Sequence, residues 1–293
     1  MKTYISHRSA AEYHQIPALD VVLPGAGAAA RGAAAVDITY PERNRRFQAE
    51  GVRNHASGYP LPRGATIPGK HWDVASPELV FLQMATALDL QRLILLGLQL
   101  CSNPPGKAGE ALSSKQRICA FLEKTPGYYG IRKAARAASF IENGSASVME
   151  SIAYMMLTLP HTLGGYGLGG ATFNHEIALD RQASRRLGQN RCFVDLFFTR
   201  ARLAVEYQSF AHHATAAEQG RDMVRAGILE RMGIQVAPFS TIQLYDEAGC
   251  RDFAFNLARR LGRRIQIRTP RFETMHAALR SLLPTRSASP SQS

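Results

Sequence analysis

The sequence predicts an α/β protein of the α+β kind, built in two parts, and three observations carry that reading. The 293-residue chain is 45% hydrophobic, enough to bury a core in more than one domain and to exclude global disorder. Short alternating runs that read as strands are mixed with longer stretches of helical pattern. The order of these patterns changes at "ENGSAS", a polar hinge at residues 142–147.

Residues 5–16 read as a short amphipathic helix opened by Ser6 and ended at Pro17. The Gly/Ala-rich "PGAGAAARGAAA", residues 24–35, reads as a flexible loop. A strand through Val36, Ile38 and Tyr40 leads into a basic turn. "GVRNHAS" reads as a second strand. "HWDVASPELVFLQMATAL" reads as a third that passes into a helix, with Ser76 as N-cap and Pro77 at the first helical position. Helical patterns continue through "DLQRLILLGLQLCS" and, after the break at "SNPPGKAGEA", to about residue 142. Beyond the hinge come one helix from Ser147, a Gly-rich loop "LGGYGLGGA", several strands and a long helix. This gives an N-terminal α+β domain at 1–142, a second domain at 143–284 and a disordered tail at 285–293. There are no internal repeats.

Lys and Arg number 35 against 23 Asp and Glu, a net charge of +12. That excess favours a polyanionic partner, nucleic acid first among them; the plain alternative is a solvated basic surface. Cys101, Cys119, Cys192 and Cys250 form no CxxC pair and read as thiols in a reducing compartment. The N-terminus has no secretory pattern, and the apolar stretch from Leu79 to Cys101 is interrupted by Gln83, Asp89, Gln91 and Arg92. A cytoplasmic protein without a membrane span is expected; the oligomeric state is open.

The run "RCFVDLFF" puts Phe193, Asp195 and Phe197 on one face of a strand by alternation, with Val194, Leu196 and Phe198 on the other. In "RLAVEYQS", Ala204, Glu206 and Gln208 share a face. A hairpin of these runs brings Asp195 and Glu206 to a common edge. Two carboxylates there repel unless a cation lies between them, and hard oxygen ligands suit Mg²⁺ or Mn²⁺. The plain alternative has Asp195 capping a strand end and Glu206 paired with an arginine such as Arg202.

The segment from Ser147 to Ser240 resembles the PD-(D/E)XK nuclease superfamily, in its very-short-patch-repair-like endonuclease branch. The resemblance rests on Ser147 and Glu150 in "SVMESIAYMMLTLP", on "FVDLFF", on "LAVEYQS", on His213 in "FAHH" and on Asp222, Arg225, Leu229 and Gly233, closed by "IQVAPFS". It implies a restriction-endonuclease-like core, a mixed sheet flanked by helices, that hydrolyses phosphodiester bonds in DNA. Asp195 and Glu206 would hold the metal, with Glu150 as an outer or second acidic ligand. Gln208 stands where the superfamily most often has lysine, and an amide positions water without supplying charge. His213 or Arg225 would then compensate, His213 as a general acid or base.

Each of these residues keeps a plain alternative. Ser147 and Glu150 form a capping box; Asp222 and Arg225 form a surface ion pair; Val224, Ile228 and Met232 are core; His212 is a solvated loop residue. "LGGYGLGGA" lacks the Lys-Ser/Thr of a phosphate loop and reads as a flexible loop beside the cleft.

In the first half, "SHRSAAEYHQIP", "VDITYPERNRR", "GVRNHAS" and "DVASPELVFLQMA" resemble the middle region of AbiEi-type antitoxins. Those proteins are transcriptional regulators, and the winged helix they usually begin with is not matched here. The resemblance implies a regulatory role with a toxin or other protein partner. Arg43, Arg45 and Arg46 offer a phosphate-contacting patch without sequence specificity, or simply a solvated turn. If the chemistry has lapsed with the missing lysine, the chain is a DNA-binding module instead of a nuclease.

Overall fold

The computed structural model describes residues 3–23, 35–40, 49–103, 109–208 and 216–285. The chain divides into two compact units, Met1–Asn143 and Gly144–Ser293. Each has its own mixed sheet and its own helices, the α/β class that the sequence predicts.

The first unit holds β1 (Tyr4–Ile5), β2 (Val36–Tyr40), β3 (Val52–Ala56), β4 (Thr66–Ile67) and β5 (Asp73–Ala75), in the order β3-β2-β1-β5-β4. β1 is central, antiparallel to β2 and parallel to β5. Two residues are too few to show an alternation, so the sequence hides this strand and the equally short β4. The helix α1 (His7–Tyr13) follows Ser6, whose hydroxyl caps nothing. That hydroxyl instead accepts from Thr39 Oγ1 at 2.7 Å and lies 3.0 Å from His7 Nδ1. A short α2 (Leu19–Val22) comes next.

The helix α3 (Pro77–Met84) starts as its sequence requires, with Leu79 N–H donating to Ser76 Oγ at 3.3 Å and Pro77 in the first turn. Asp89 caps α4 (Leu90–Leu100) by accepting from Arg92 N–H at 2.8 Å. Both helices are buried nearly all round and form the heart of this unit. Each fully buried Leu or Phe there contributes roughly 1.5–3 kcal/mol. The helices α5 (Lys115–Glu123) and α6 (Ile131–Ala138) complete it.

The second unit runs α7 (Val148–Thr158), β6 (Ala171–Ala178), α8 (Arg181–Leu187), β7 (Arg191–Phe198), β8 (Leu203–Gln208), α9 (Ala216–Arg231) and β9 (Gln235–Ser240), then α10 (Thr241–Tyr245), α11 (Glu247–Arg260) and α12 (Phe272–Arg280). Strands β6, β7 and β8 form an antiparallel meander, and β9 lies parallel to β8 after the α9 crossover. One core cluster joins Cys192, Val194, Phe197 and Ala204 to Leu229 of α9 and to Ile234. Ile228 is core as expected and Met232 packs against the cluster, but Val224 is exposed, as are residues 220–224 of α9 throughout.

"LGGYGLGGA" is not the flexible loop expected. Tyr166 and Leu168 are buried, and the amides of Tyr166, Gly167 and Leu168 donate to the carbonyls of Met156, Leu159 and Leu157. Gly164, at φ +80°, lies so close to α12 that an added Cβ would sit 2.4 Å from the Met275 carbonyl oxygen. The glycines permit close packing and a left-handed turn. The four cysteines are free thiols. Among the described residues no helix is long and apolar enough to cross a membrane.

Candidate active site

The β7–β8 ladder pairs Phe198 with Leu203, Phe197 with Ala204 and Leu196 with Val205. One step further in the same register Asp195 faces Glu206, and there the backbone ladder ends. The carboxylates take its place. Tyr207 N–H donates to Asp195 Oδ2 at 2.7 Å, and the amide of Asp195 donates to the Glu206 carboxylate. Each of these acidic side chains is thus held by the backbone of the neighbouring strand.

β6 is irregular at the same level. Asn174, opposite Asp195 in the β6–β7 register, drops out of the ladder and has φ +42°. This is the left-handed region, where Asn is among the few side chains tolerated. Its amide donates to the Gly144 carbonyl. The alternation expected for β7 breaks here. Phe197 shares a core cluster with Cys192 and Val194, and stacks 4.4 Å from His175, the ladder partner of Val194. Phe193 is left exposed. Grouping Phe193, Asp195 and Phe197 on one face is therefore corrected, because the left-handed residue in β6 interrupts the pleat beside Asp195.

Glu150 enters from the first turn of α7. Its N–H donates to Ser147 Oγ at 3.1 Å, Ser147 Oγ donates to Glu150 Oε1 at 2.9 Å, and Ala146 N–H donates to Oε2 at 3.0 Å. The expected cap is present, with the return bond made by Ala146 in place of Ser147. Capping does not exhaust its role. Burial pushes Glu150 up to about 7 and the Asp195 carboxylate adds to the shift, against the Ala146 and Ser147 hydrogen bonds. Burial also pushes Glu206 up to about 7, again with Asp195 adding and Arg225 opposing. Asp195 itself is raised by burial, despite the Tyr207 amide and Arg225. Asp195 thus acts on both Glu150 and Glu206, and all three carboxyl groups are raised, which favours bound protons or a cation.

Among the described residues, Arg225 of α9 is the cation that pairs with Glu206. Its Nη2 donates to Glu206 Oε1 at 2.9 Å and to the Phe193 carbonyl. It also hydrogen-bonds the Cys192 thiol. The expected Asp222–Arg225 surface pair is replaced by this inward contact. Arg202 is not the partner of Glu206: it donates to the carbonyls of Met232 and Gly233 at 2.8 and 3.2 Å and closes the end of α9. Arg225 keeps 29% of its side chain exposed and lines an open cleft of about 510 Å³ with Arg191 and Phe193.

Gln208 ends β8, exposed, with its carbonyl accepting from Thr241 Oγ1. His213, Arg43, Arg45 and Arg46 lie outside the described residues. So do His212, the loop through residue 34 and the tail from residue 286. Among the described residues no three His, Cys, Asp or Glu side chains group as a metal cage. Asp195 and Glu206 still offer two hard carboxylates, and Mg²⁺ is commonly bound by one or two, with water and substrate phosphate completing the sphere. The donor chemistry fits a site completed by substrate.

Sequence reasoning missed Asn174 and the amides of Asp195 and Tyr207. An Asn inside an otherwise strand-like run was the one available signal. No protein-family model, no curated protein and no solved structure matches the chain.

Proposed function

We propose that the C-terminal unit is a divalent-cation-dependent phosphodiesterase acting on DNA. The observation that carries this reading is the juxtaposition of Asp195 and Glu206 across the end of the β7–β8 ladder, with Glu150 as an electrostatically coupled third carboxylate. Asp195 and Glu206 are the residues that would hold Mg²⁺ or Mn²⁺. When bound, that ion polarises a phosphoryl oxygen and acidifies a water. Glu150, with a pKa near 7, is poised to take a proton from the attacking water or return one to the leaving oxygen. Arg225 favours the carboxylate form of Glu206 and lends positive charge to a site where charge develops on phosphate. Gln208, two residues beyond Glu206, orients water through its amide. The net charge of +12 draws a polyanion toward the protein.

A plasmid-nicking assay with Mg²⁺ or Mn²⁺ tests the reading. Wild type nicks, and Asp195→Asn and Glu206→Gln each abolish it; nicking that survives both substitutions rejects the site. A second reading has its own observation. Gln208 replaces the expected lysine, and residues 144–293 contain no lysine at all, so no other lysine of this unit can stand in. On that reading the fold binds DNA as an AbiEi-type antitoxin or transcriptional regulator without cutting it. Salt-dependent DNA binding with no nicking under any divalent ion selects it.

A further inference from the structure

The N-terminal unit carries a second cluster that the carboxylate site does not use. His7 and His55 stack face to face, ring centroids 3.6 Å apart and 19° from parallel. Asp37, buried on β2, accepts from His55 Nε2 at 2.8 Å and lies 3.5 Å from Arg53. Burial, with His55 and Arg53 nearby, pushes His7 down to about 3, so its ring is neutral. Ser6 Oγ lies 3.0 Å from His7 Nδ1, but Ser6 is fully buried and a ring of such low basicity does not activate a hydroxyl. The cluster is therefore better suited to binding than to acyl transfer.

Two clefts share the imidazole pair as a wall. One, about 480 Å³, is lined by Tyr4, Tyr59, Tyr128 and Tyr129. Tyr59 and Tyr128 stack at 4.8 Å, and Tyr129 is 70% exposed. The other, about 390 Å³, is lined by Arg8, Arg53 and Arg92 together with Asp37 and Asp89. Each arginine has a carboxylate neighbour, Glu12, Asp37 and Asp89 in turn. Arg53, 60% exposed and 3.5 Å from Asp37, is in the loosest of the three pairs. Exposed aromatic rings beside a basic surface are how proteins grip unstacked bases and the phosphate that follows them. Each volume is within the range that holds a small ligand. Guanidinium forks match phosphate oxygens in pairs.

We propose that these adjoining clefts bind one nucleotide unit, its base among the tyrosines, its phosphate toward the arginines and its sugar along the His7–His55 pair. An uncharged planar ligand would leave the arginine cleft unused, and inorganic phosphate would leave the tyrosine cleft unused. This site stands independently of the reading given to the C-terminal unit.

A free nucleoside monophosphate and an unpaired nucleotide of a single strand offer the same chemistry. Calorimetric titration of the full chain with AMP, GMP, CMP and UMP, with adenosine, and with the tetranucleotide dT4 separates the sources. At least one phosphate-bearing probe binds saturably, and Tyr129→Ala weakens it about tenfold. Arg53→Gln weakens AMP but not adenosine, which a general loss of structure would not do. Binding of the monophosphates assigns a free nucleotide; binding of dT4 alone assigns a strand. No saturable binding of any probe up to about 1 mM, or binding that both variants leave unchanged, overturns the proposal.

Discussion

Both units bury carboxylates on a mixed sheet, and they treat the charge in opposite ways. In the N-terminal unit burial pushes Asp37 up, but the His55 hydrogen bond and the His55 and Arg53 side chains outweigh it and hold the carboxyl below its ordinary range. In the C-terminal unit Glu150, Asp195 and Glu206 are all raised, and Arg225 is the one guanidinium that opposes the shift of both strand carboxylates. A matched buried charge holds its neighbours in place. An unmatched group stores repulsion that a bound cation relieves, and such groups concentrate where chemistry is done.

The comparison breaks most visibly at activity. Asp195→Asn is expected to lower plasmid nicking by about a hundredfold or more, while leaving the thermal stability of the metal-free protein unchanged or raised. Asp37→Asn is expected to do the reverse, costing about 2–3 kcal/mol in denaturant unfolding with nicking preserved, because it leaves the His55–Arg53 pair beside a neutral group. If both substitutions destabilise equally, the two clusters are the same kind of structure.

The pH dependence of stability sharpens the contrast. Glu150 and Glu206 titrate near 7 in the folded chain and near 4.5 unfolded, so between those values the folded state holds the extra protons. Their contribution is present below pH 4.5 and is lost as pH rises through about 7. His7 has the opposite sign. Its folded value of about 3 lies below the ordinary 6.5, so its contribution is present above pH 6.5 and lost as pH falls toward 3. Asp37, lowered in the fold, follows His7. Hydrogen exchange followed separately in residues 1–143 and 144–293 should show the C-terminal unit less protected at about pH 8 than at about pH 5, by on the order of a few kcal/mol, and the N-terminal unit more protected. Glu150→Gln should then raise C-terminal stability by about 1 kcal/mol at about pH 8. The smallest expected change is in Gln208→Lys, which should raise nicking about two- to fivefold if position 208 reaches the phosphate.

The C-terminal side of this contrast was legible in the sequence and the Asp37 cluster was not, and the limits have physical causes. Asp195, Glu206 and Gln208 stood out because polar residues are expensive in strand-like runs. Ser76–Pro77 was readable because helix starts use few residue types. The meeting of Asp195 and Glu206 followed from reading the two runs as a hairpin. The break in alternation beside Asp195 did not, because it depends on a left-handed Asn174 in a neighbouring strand. The alternative that paired Glu206 with an arginine has its pair, but the example named for nearness in sequence was Arg202, whereas Arg225 reaches it from the crossover helix. The tyrosine and arginine clefts of the N-terminal unit were invisible, since their walls come from segments far apart in the chain, Tyr4 to Tyr129 in one and His7 to Arg92 in the other.

The central claim is that the C-terminal carboxylates form a site for a divalent cation. Titration of Mn²⁺ at about pH 8, followed by loss of its free-ion electron paramagnetic resonance signal, tests it most directly. One bound ion per wild-type chain, lost in the Asp195→Asn/Glu206→Gln double variant, is the predicted result. Equal binding by the two proteins, or none by either in the presence of DNA, would contradict it.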